Sequence, residues 1–273
     1  MKRWFFLAYA IGGYVAFLGV YAYLAGFIGN VWVPKSIDAP TGGASGPAVV
    51  VNLLLLALFA LQHSVMARPG FKRVWTRVIP QPIERATYVW VANAVTVLLM
   101  WQWRPIDAVV WHVEQPVLRG LLWGLFVMGL TAVPAVTLLI NHFDLFGLRQ
   151  VWLHARDKAY SDLPFRAPMA YAVVRHPLYL AWALAFWAIP TMTAGHLLFA
   201  ATLCVYMVLA TVFEERDLVA HFGHSYREYQ QKVGRFVPRF GRPSTVAQRT
   251  GKFGDAELNS PALAIAQRPS GEI

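Results

Sequence analysis

Charge is scarce in this chain and cysteine nearly absent. Only 14% of its 273 residues are Asp, Glu, Lys or Arg, and Cys204 is the one cysteine. A lone cysteine excludes an intramolecular disulfide and any cysteine-based metal site, and its place in an apolar run makes it a small packing residue. Also missing are a glycine-rich phosphate loop, a nucleophile elbow and a zinc-protease histidine pair. His221 and His224 stand three positions apart, a spacing compatible with metal ligation, but no third ligand accompanies them and no metal is expected.

Apolar sequence is what the chain has in abundance. Hydrophobic residues make up 57% and the mean hydropathy is +0.45, beyond an ordinary water-soluble domain. The pattern predicts an all-α, polytopic integral membrane protein with about six membrane-embedded helices. The run at 4–29 follows Lys2 and Arg3; it is too long for the core of a signal peptide and reads as an uncleaved first helix. Further spans are expected at 48–66, at 87–103 with Trp101 and Trp103 as interface anchors, and at 118–140 with a kink at Pro134. A terminal pair follows at 178–189 and 197–213, while 30–47 and 104–115 read as loops. A membrane domain is expected over 1–240, with a flexible cytoplasmic tail over 241–273.

Charge placement orients these spans. With a cytoplasmic N-terminus, 21 of the 24 Lys and Arg residues fall on the cytoplasmic side, leaving only Lys35, Arg104 and Arg119 opposite. That asymmetry predicts a bacterial inner-membrane protein with both termini in the cytoplasm. It also accounts for the net charge of +10 through contact with anionic lipid. The basic residues are dispersed over membrane connections, so no nucleic-acid partner is expected.

The stretch at 175–229 carries the most chemistry. RHPLY at 175–179 opens it and EERDLVAHFGHSYREY closes it, with His176 and Glu214 38 positions apart and almost wholly apolar sequence between them. Two apolar helices joined by a short turn make an antiparallel hairpin, which returns both polar clusters to one membrane face. Arg175 and His176 offer donors, Tyr179, Tyr226 and Tyr229 aromatic faces with hydroxyls, and Glu214 and Glu215 acceptors. A zwitterionic, ribose-bearing sulfonium asks for that mixture. Polar groups at helix ends that merely anchor the helices at the headgroups are the plainer alternative.

RHPxY, a hairpin, EExxL, FGxxYxxY and a basic segment ending in Pro, here Arg235 to Pro238, together resemble the isoprenylcysteine carboxyl methyltransferase superfamily. The resemblance implies S-adenosylmethionine as cofactor, S-adenosylhomocysteine as product, and a cofactor half at about 141–240. It assigns Arg175, His176, Tyr179, Glu214, Glu215, Tyr226, Tyr229 and Arg235 to cofactor binding. Ala181 departs from the pattern, since many relatives carry Gly there.

A second constellation, NHFDLFGLRQVWL at 141–153, with LQHSVMARPGF at 61–71, is similar to the methanethiol S-methyltransferase branch, related to the NnrU-like membrane proteins. That similarity implies methylation of a small thiol, methanethiol giving dimethyl sulfide. Because the thiolate is the nucleophile and alkyl thiols are largely protonated at neutral pH, a base is expected beside the methyl group. His142 oriented by Asp144 is the candidate pair, Arg149 an electrostatic helper, and Phe143, Phe146 and Trp152 a candidate apolar substrate pocket. His63 matches the branch without an assigned role. An isoprenylcysteine or lipid-type acceptor, and a non-enzymatic NnrU-like accessory role, stay open as alternatives.

Overall fold

The computed structural model describes residues 2–39 and 45–239; the tail expected over 241–273 lies outside them. Four helices are long and apolar enough to cross a membrane: α1 (Lys2–Gly29), most of α2 (Ser45–Ala67), α5 (Pro116–Ile140) and α10 (Ala194–Phe222). They are apolar nearly all round, and large side chains such as Leu54, Leu121 and Val205 face outward, as lipid contact requires. The chain is an integral membrane protein. Between α2 and α5 come α3 (Pro69–Trp75), α4 (Glu84–Gln102) and strand β1 (Val109–His112). After α5 come α6 (His142–Leu145), α7 (Leu148–Ala155), α8 (Ala170–Val173), α9 (Pro177–Trp187) and strand β2 (Thr191–Thr193), and α11 (His224–Lys232) follows α10.

The expected count of six helical spans is not reached by length. α4 has 19 residues and opens with Glu84 and Arg85, while α9 has only 11. Eleven helical residues rise about 16 Å, half of a bilayer core. The extended segment 188–193 adds up to about 20 Å, enough together to cover the roughly 30 Å that α10 spans between Ala194 and Glu214. The hairpin therefore closes with one limb part helix and part strand. β2 pairs antiparallel with β1, and the Val113 and Gly195 amides donate to Pro190 and Ile106 carbonyls, so the extended backbone is satisfied. This strand pair replaces the loop expected at 104–115.

The core explains another departure. Trp101 is exposed, as an anchor should be, but Trp103 is only 1% exposed. Its indole N–H donates to the Ile37 carbonyl at 3.1 Å, and its ring meets Phe27 and Phe199 edge-on. Trp103 follows the end of α4 and is a core residue. Fully buried Asn52 brackets the same chain turn: its amide donates to the Arg104 carbonyl at 2.7 Å and accepts from the Arg104 amide at 2.9 Å. Cys204, half-buried, receives the Trp187 indole N–H at 3.3 Å and packs against the core, as its surroundings predicted.

α5 and α9 lie unusually close. A Cβ at Gly129 would sit 2.7 Å from the Ala185 nitrogen and 2.9 Å from the Ala181 carbonyl oxygen, so only glycine fits there. Ala181 itself is buried in this contact. Farther along α5, Pro134 has no N–H to give the Leu130 carbonyl one turn earlier. The Tyr21 hydroxyl of α1 supplies the donor instead, at 2.6 Å. Tyr21→Phe leaves that carbonyl unsatisfied and is expected to cost about 1–3 kcal/mol. Adding Pro134→Ala returns a backbone donor and recovers most of the loss. Thermal unfolding of both variants in micelles reads this; equal stability of Tyr21→Phe and wild type would refute it.

Candidate active site

The signature segments meet where α9 begins and α10 ends. Strand-like pairing brings 174–176 alongside 234–235: the Arg175 amide donates to the Gly234 carbonyl at 2.9 Å and the His176 amide to the Arg235 carbonyl at 3.2 Å. Side chains then converge on one carboxylate. Glu215 accepts from Arg175 Nε at 2.8 Å and Nη2 at 3.3 Å, and from Arg235 Nη2 at 2.9 Å and Nε at 3.2 Å. His176 Nε2 and Gln230 Nε2 each reach it at 3.0 Å. Arg175 spends its Nη1 on the Gln230 and Val233 carbonyls. Arg175, His176 and Glu215 are buried, and such a carboxylate is tolerated because its lone pairs are filled.

Beside this clasp lies a more open pair. Tyr179 donates to Glu214 Oε2 at 3.0 Å and stacks on His176, with ring centroids 5.5 Å apart and 5° between planes. Glu214 is 46% exposed and Arg235 is 37% exposed, so both keep a face toward solvent. The two remaining tyrosines turn inward. Tyr226 and Tyr229 pack on Phe165 and Val233, Tyr229 donates to the Tyr171 carbonyl at 2.5 Å, and burial pushes both phenols above their ordinary pKa. They form the floor of the clasp and do not line its mouth. Gln230 and Phe165 had no role in the sequence reading, because neither belongs to a recognisable motif.

The second constellation is arranged differently from expectation. Asp144 does not orient His142. Asn141 closes α5 in the left-handed region at φ 112°, and α6 then turns the two side chains apart. His142 Nδ1 meets the Thr137 hydroxyl at 2.8 Å and Nε2 the Tyr14 hydroxyl at 2.7 Å. Thr137 donates its own proton to the Pro134 carbonyl, so the imidazole is the Nδ1–H tautomer and Tyr14 donates to Nε2. Burial holds His142 below its ordinary pKa, in keeping with that neutral form.

Asp144 instead pins α4 to α7. Arg85 forms an ion pair with it, Arg149 Nη1 and Gln150 Nε2 each donate at 3.1 Å, and the Tyr160 hydroxyl lies at 3.4 Å. Arg149 is held further by the Ser161 carbonyl and by the face of Tyr160, with 5.1 Å from guanidinium to ring centroid. Gly147 permits this closeness, since a Cβ there would come within 2.7 Å of the Ala86 nitrogen. Phe143 and Trp152 line a cavity of about 580 Å³, together with His142, Asp144 and Arg149. Phe146 is not among its lining residues; it packs on Phe17 and His142. Among the described residues no hydrogen bond, ion pair or ring contact joins this constellation to the Glu215 clasp.

Fold and clasp together define an integral-membrane helical protein with one polar site built from its RHPLY and EE segments. Comparison with known proteins narrows this. The chain is 50% identical over 238 residues to Methanethiol S-methyltransferase of Mycobacterium tuberculosis, covering 87% of this chain and 98% of that protein. It is 44% identical to Methanethiol S-methyltransferase of Crocosphaera subtropica, covering 89% and 96% of the two chains. Nurim of Danio rerio is more distant, at 28% identity over 73% of this chain and 74% of its own. The chain belongs to the methanethiol S-methyltransferase family. No family model matches it, and no solved structure does.

Glu215→Gln keeps the shape of the clasp but removes the charge that two guanidinium groups share. Breaking a buried ion pair from one side costs about 3–5 kcal/mol. A lower unfolding temperature and faster tryptic cleavage near Arg235 are expected. A variant as stable and protease-resistant as wild type would show that the clasp carries no such energy.

Proposed function

We propose that this protein transfers a methyl group from S-adenosylmethionine to methanethiol, releasing dimethyl sulfide and S-adenosylhomocysteine. The observation that carries this reading is the family relationship, which extends over nearly all of the membrane part. Consistent with it, the chain's signature segments form one site at one end of the bundle.

The methyl donor supplies an electrophilic carbon on a positively charged sulfur. The residues present suit such a molecule. Glu214 commits Oε2 to Tyr179 and keeps an exposed face for ribose hydroxyls or an ammonium group. Arg235 commits Nε and Nη2 to Glu215 and is open enough to meet a carboxylate. Tyr179, stacked on His176, offers an aromatic face of the kind that stabilises a cation. Arg175, His176, Glu215, Tyr226 and Tyr229 belong to the same site but act by holding these groups in place.

Orientation follows charge. The end that carries the clasp also carries Arg3, Arg68, Lys72 and Arg85, so it faces the cytoplasm, where the donor is made, in a bacterial inner membrane. Lipid surrounds the apolar helices, and a small thiol reaches the site without need of a long lateral groove.

Membranes holding the intact protein, given methanethiol and S-adenosylmethionine, are expected to release dimethyl sulfide into the headspace. Absence of that product, or calorimetric binding of NADPH in preference to S-adenosylhomocysteine, would refute the reading. Glu214→Ala leaves the buried clasp whole and is expected to weaken S-adenosylhomocysteine binding at least about tenfold, the scale of a charge-assisted hydrogen bond. An unchanged Kd would remove Glu214 from the binding site.

A further inference from the structure

Near the clasp end of the bundle, α2 carries buried polar atoms that lack a partner. His63 lies on α2, its ring stacked on Phe59 with centroids 5.3 Å apart and tilted against Tyr88 of α4 at 5.4 Å. Its Nδ1 is fully buried and makes no hydrogen bond. A buried nitrogen left unsatisfied costs about 1–3 kcal/mol, and such groups in native folds call for a ligand or a task. Gln62 Oε1, next in the chain, is buried and unpartnered too.

The surroundings tie this nitrogen to the clasp. The Tyr88 hydroxyl donates to the His63 carbonyl at 3.3 Å, and the hydroxyls of Ser64 and Tyr206 lie 3.1 Å apart. Tyr206 and Glu214 are eight residues apart on α10, just over two turns, and so share a face. The phenols of Tyr88 and Tyr206 are close enough to Tyr179 to interact electrostatically with it, and Tyr179 holds Glu214. These polar side chains of α2, α4, α9 and α10 form a seam between His63 and Glu214.

We propose that methanethiol binds in this seam and that His63 Nδ1 accepts its proton, making His63 the general base of the reaction. The inference rests on the methyl-transfer reading above. A neutral imidazole carries one unprotonated ring nitrogen, which can accept a thiol proton. Phe59 and Tyr88 give the small thiol apolar and aromatic walls, which sulfur favours. The thiol proton passes to Nδ1, and a sulfur lone pair forms the new S–CH3 bond. As the CH3–S⁺ bond of the donor breaks, its electron pair stays on the departing sulfur, and the imidazolium returns its proton to solvent. Charges facing the seam are largely cancelled: Arg68 pairs with Asp217 at 2.7 Å and Lys72 with Glu84 at 3.6 Å. Glu214 and the phenols of Tyr88, Tyr179 and Tyr206 remain, leaving His63 as the basic nitrogen within it.

The test measures dimethyl sulfide formation by His63→Gln and His63→Asn at pH 7 and pH 9.5, with S-adenosylhomocysteine binding measured on the same preparations. At pH 7 a loss of about 100-fold or more in kcat/KM is expected, the usual contribution of a positioned base. At pH 9.5, where more of the thiol ionises unaided, the deficit shrinks at least tenfold, with Kd for S-adenosylhomocysteine within about twofold of wild type. A loss under about tenfold at pH 7, an equal deficit at both pH values, or loss of S-adenosylhomocysteine binding in both variants would each overturn the assignment. Failure of the wild-type protein to make dimethyl sulfide would instead strike the methyl-transfer reading itself.

Discussion

A single buried carboxylate, that of Glu215, is shared by two guanidinium groups, an imidazole and an amide, and four stretches of chain are fixed by that sharing. The segment leading into α9 contributes Arg175 and His176, α10 the carboxylate, α11 Gln230, and the segment after it Arg235. Electrostatic attraction is stronger at a membrane edge than in bulk water. The neighbouring residue does something different. Successive helical side chains diverge by about 100°, so a clasp built on Glu215 turns Glu214 outward toward the mouth. Two adjacent acidic residues thus differ, one buried at the centre of the clasp and one half-exposed beside it with Tyr179 as its hydrogen-bond donor.

The same logic of satisfied polar groups governs the apolar body. Where α5 loses a donor at Pro134, a tyrosine from α1 replaces it. Where α4 ends, an asparagine from α2 pairs with both the backbone N–H and the carbonyl of Arg104. Where α9 stops short, two strands pair. Each irregularity is met by a side chain or strand distant in sequence, because hydrocarbon offers no water to do it. His63 Nδ1 is one of the few buried side-chain polar atoms among the described residues that this satisfaction does not reach, with Gln62 Oε1, Trp75 Nε1, Gln150 Oε1 and His196 Nδ1.

Much of this was legible in the sequence. Apolar runs located the long helices, charge asymmetry put the ends of α2, α5 and α10 on one side, and the RHPLY and EE segments marked the clasp. What escaped were facts set by distant partners. Trp103 reads as an anchor from its position after an apolar run, yet its place in the core depends on Phe27 and Phe199 from other helices. His142 and Asp144 look paired at a spacing of two, but the left-handed turn at Asn141 separates them. Tyr14 then claims the histidine from 128 residues away and Arg85 the aspartate from 59. A short helix completed by a strand also escapes hydropathy, which measures apolar length and not backbone form.

The separation of the two constellations bears directly on the chemistry. In-line transfer needs the nucleophilic sulfur about 3–3.5 Å from the methyl carbon, so the base and the donor must flank the same small volume. His142 has both nitrogens engaged and belongs to a cavity bounded by α1, α5 and α7, whereas the clasp residues belong to α9 and α10. The seam beneath Glu214 lies on the clasp side and runs between packed helices. A thiolate and a sulfonium combine into two uncharged products, and a medium that withholds water from both ions raises their reactivity. A thiol in the proposed seam between α2, α4, α9 and α10 would meet such a medium, while the Asp144 cluster, saturated by its own cations, braces α4 against α7.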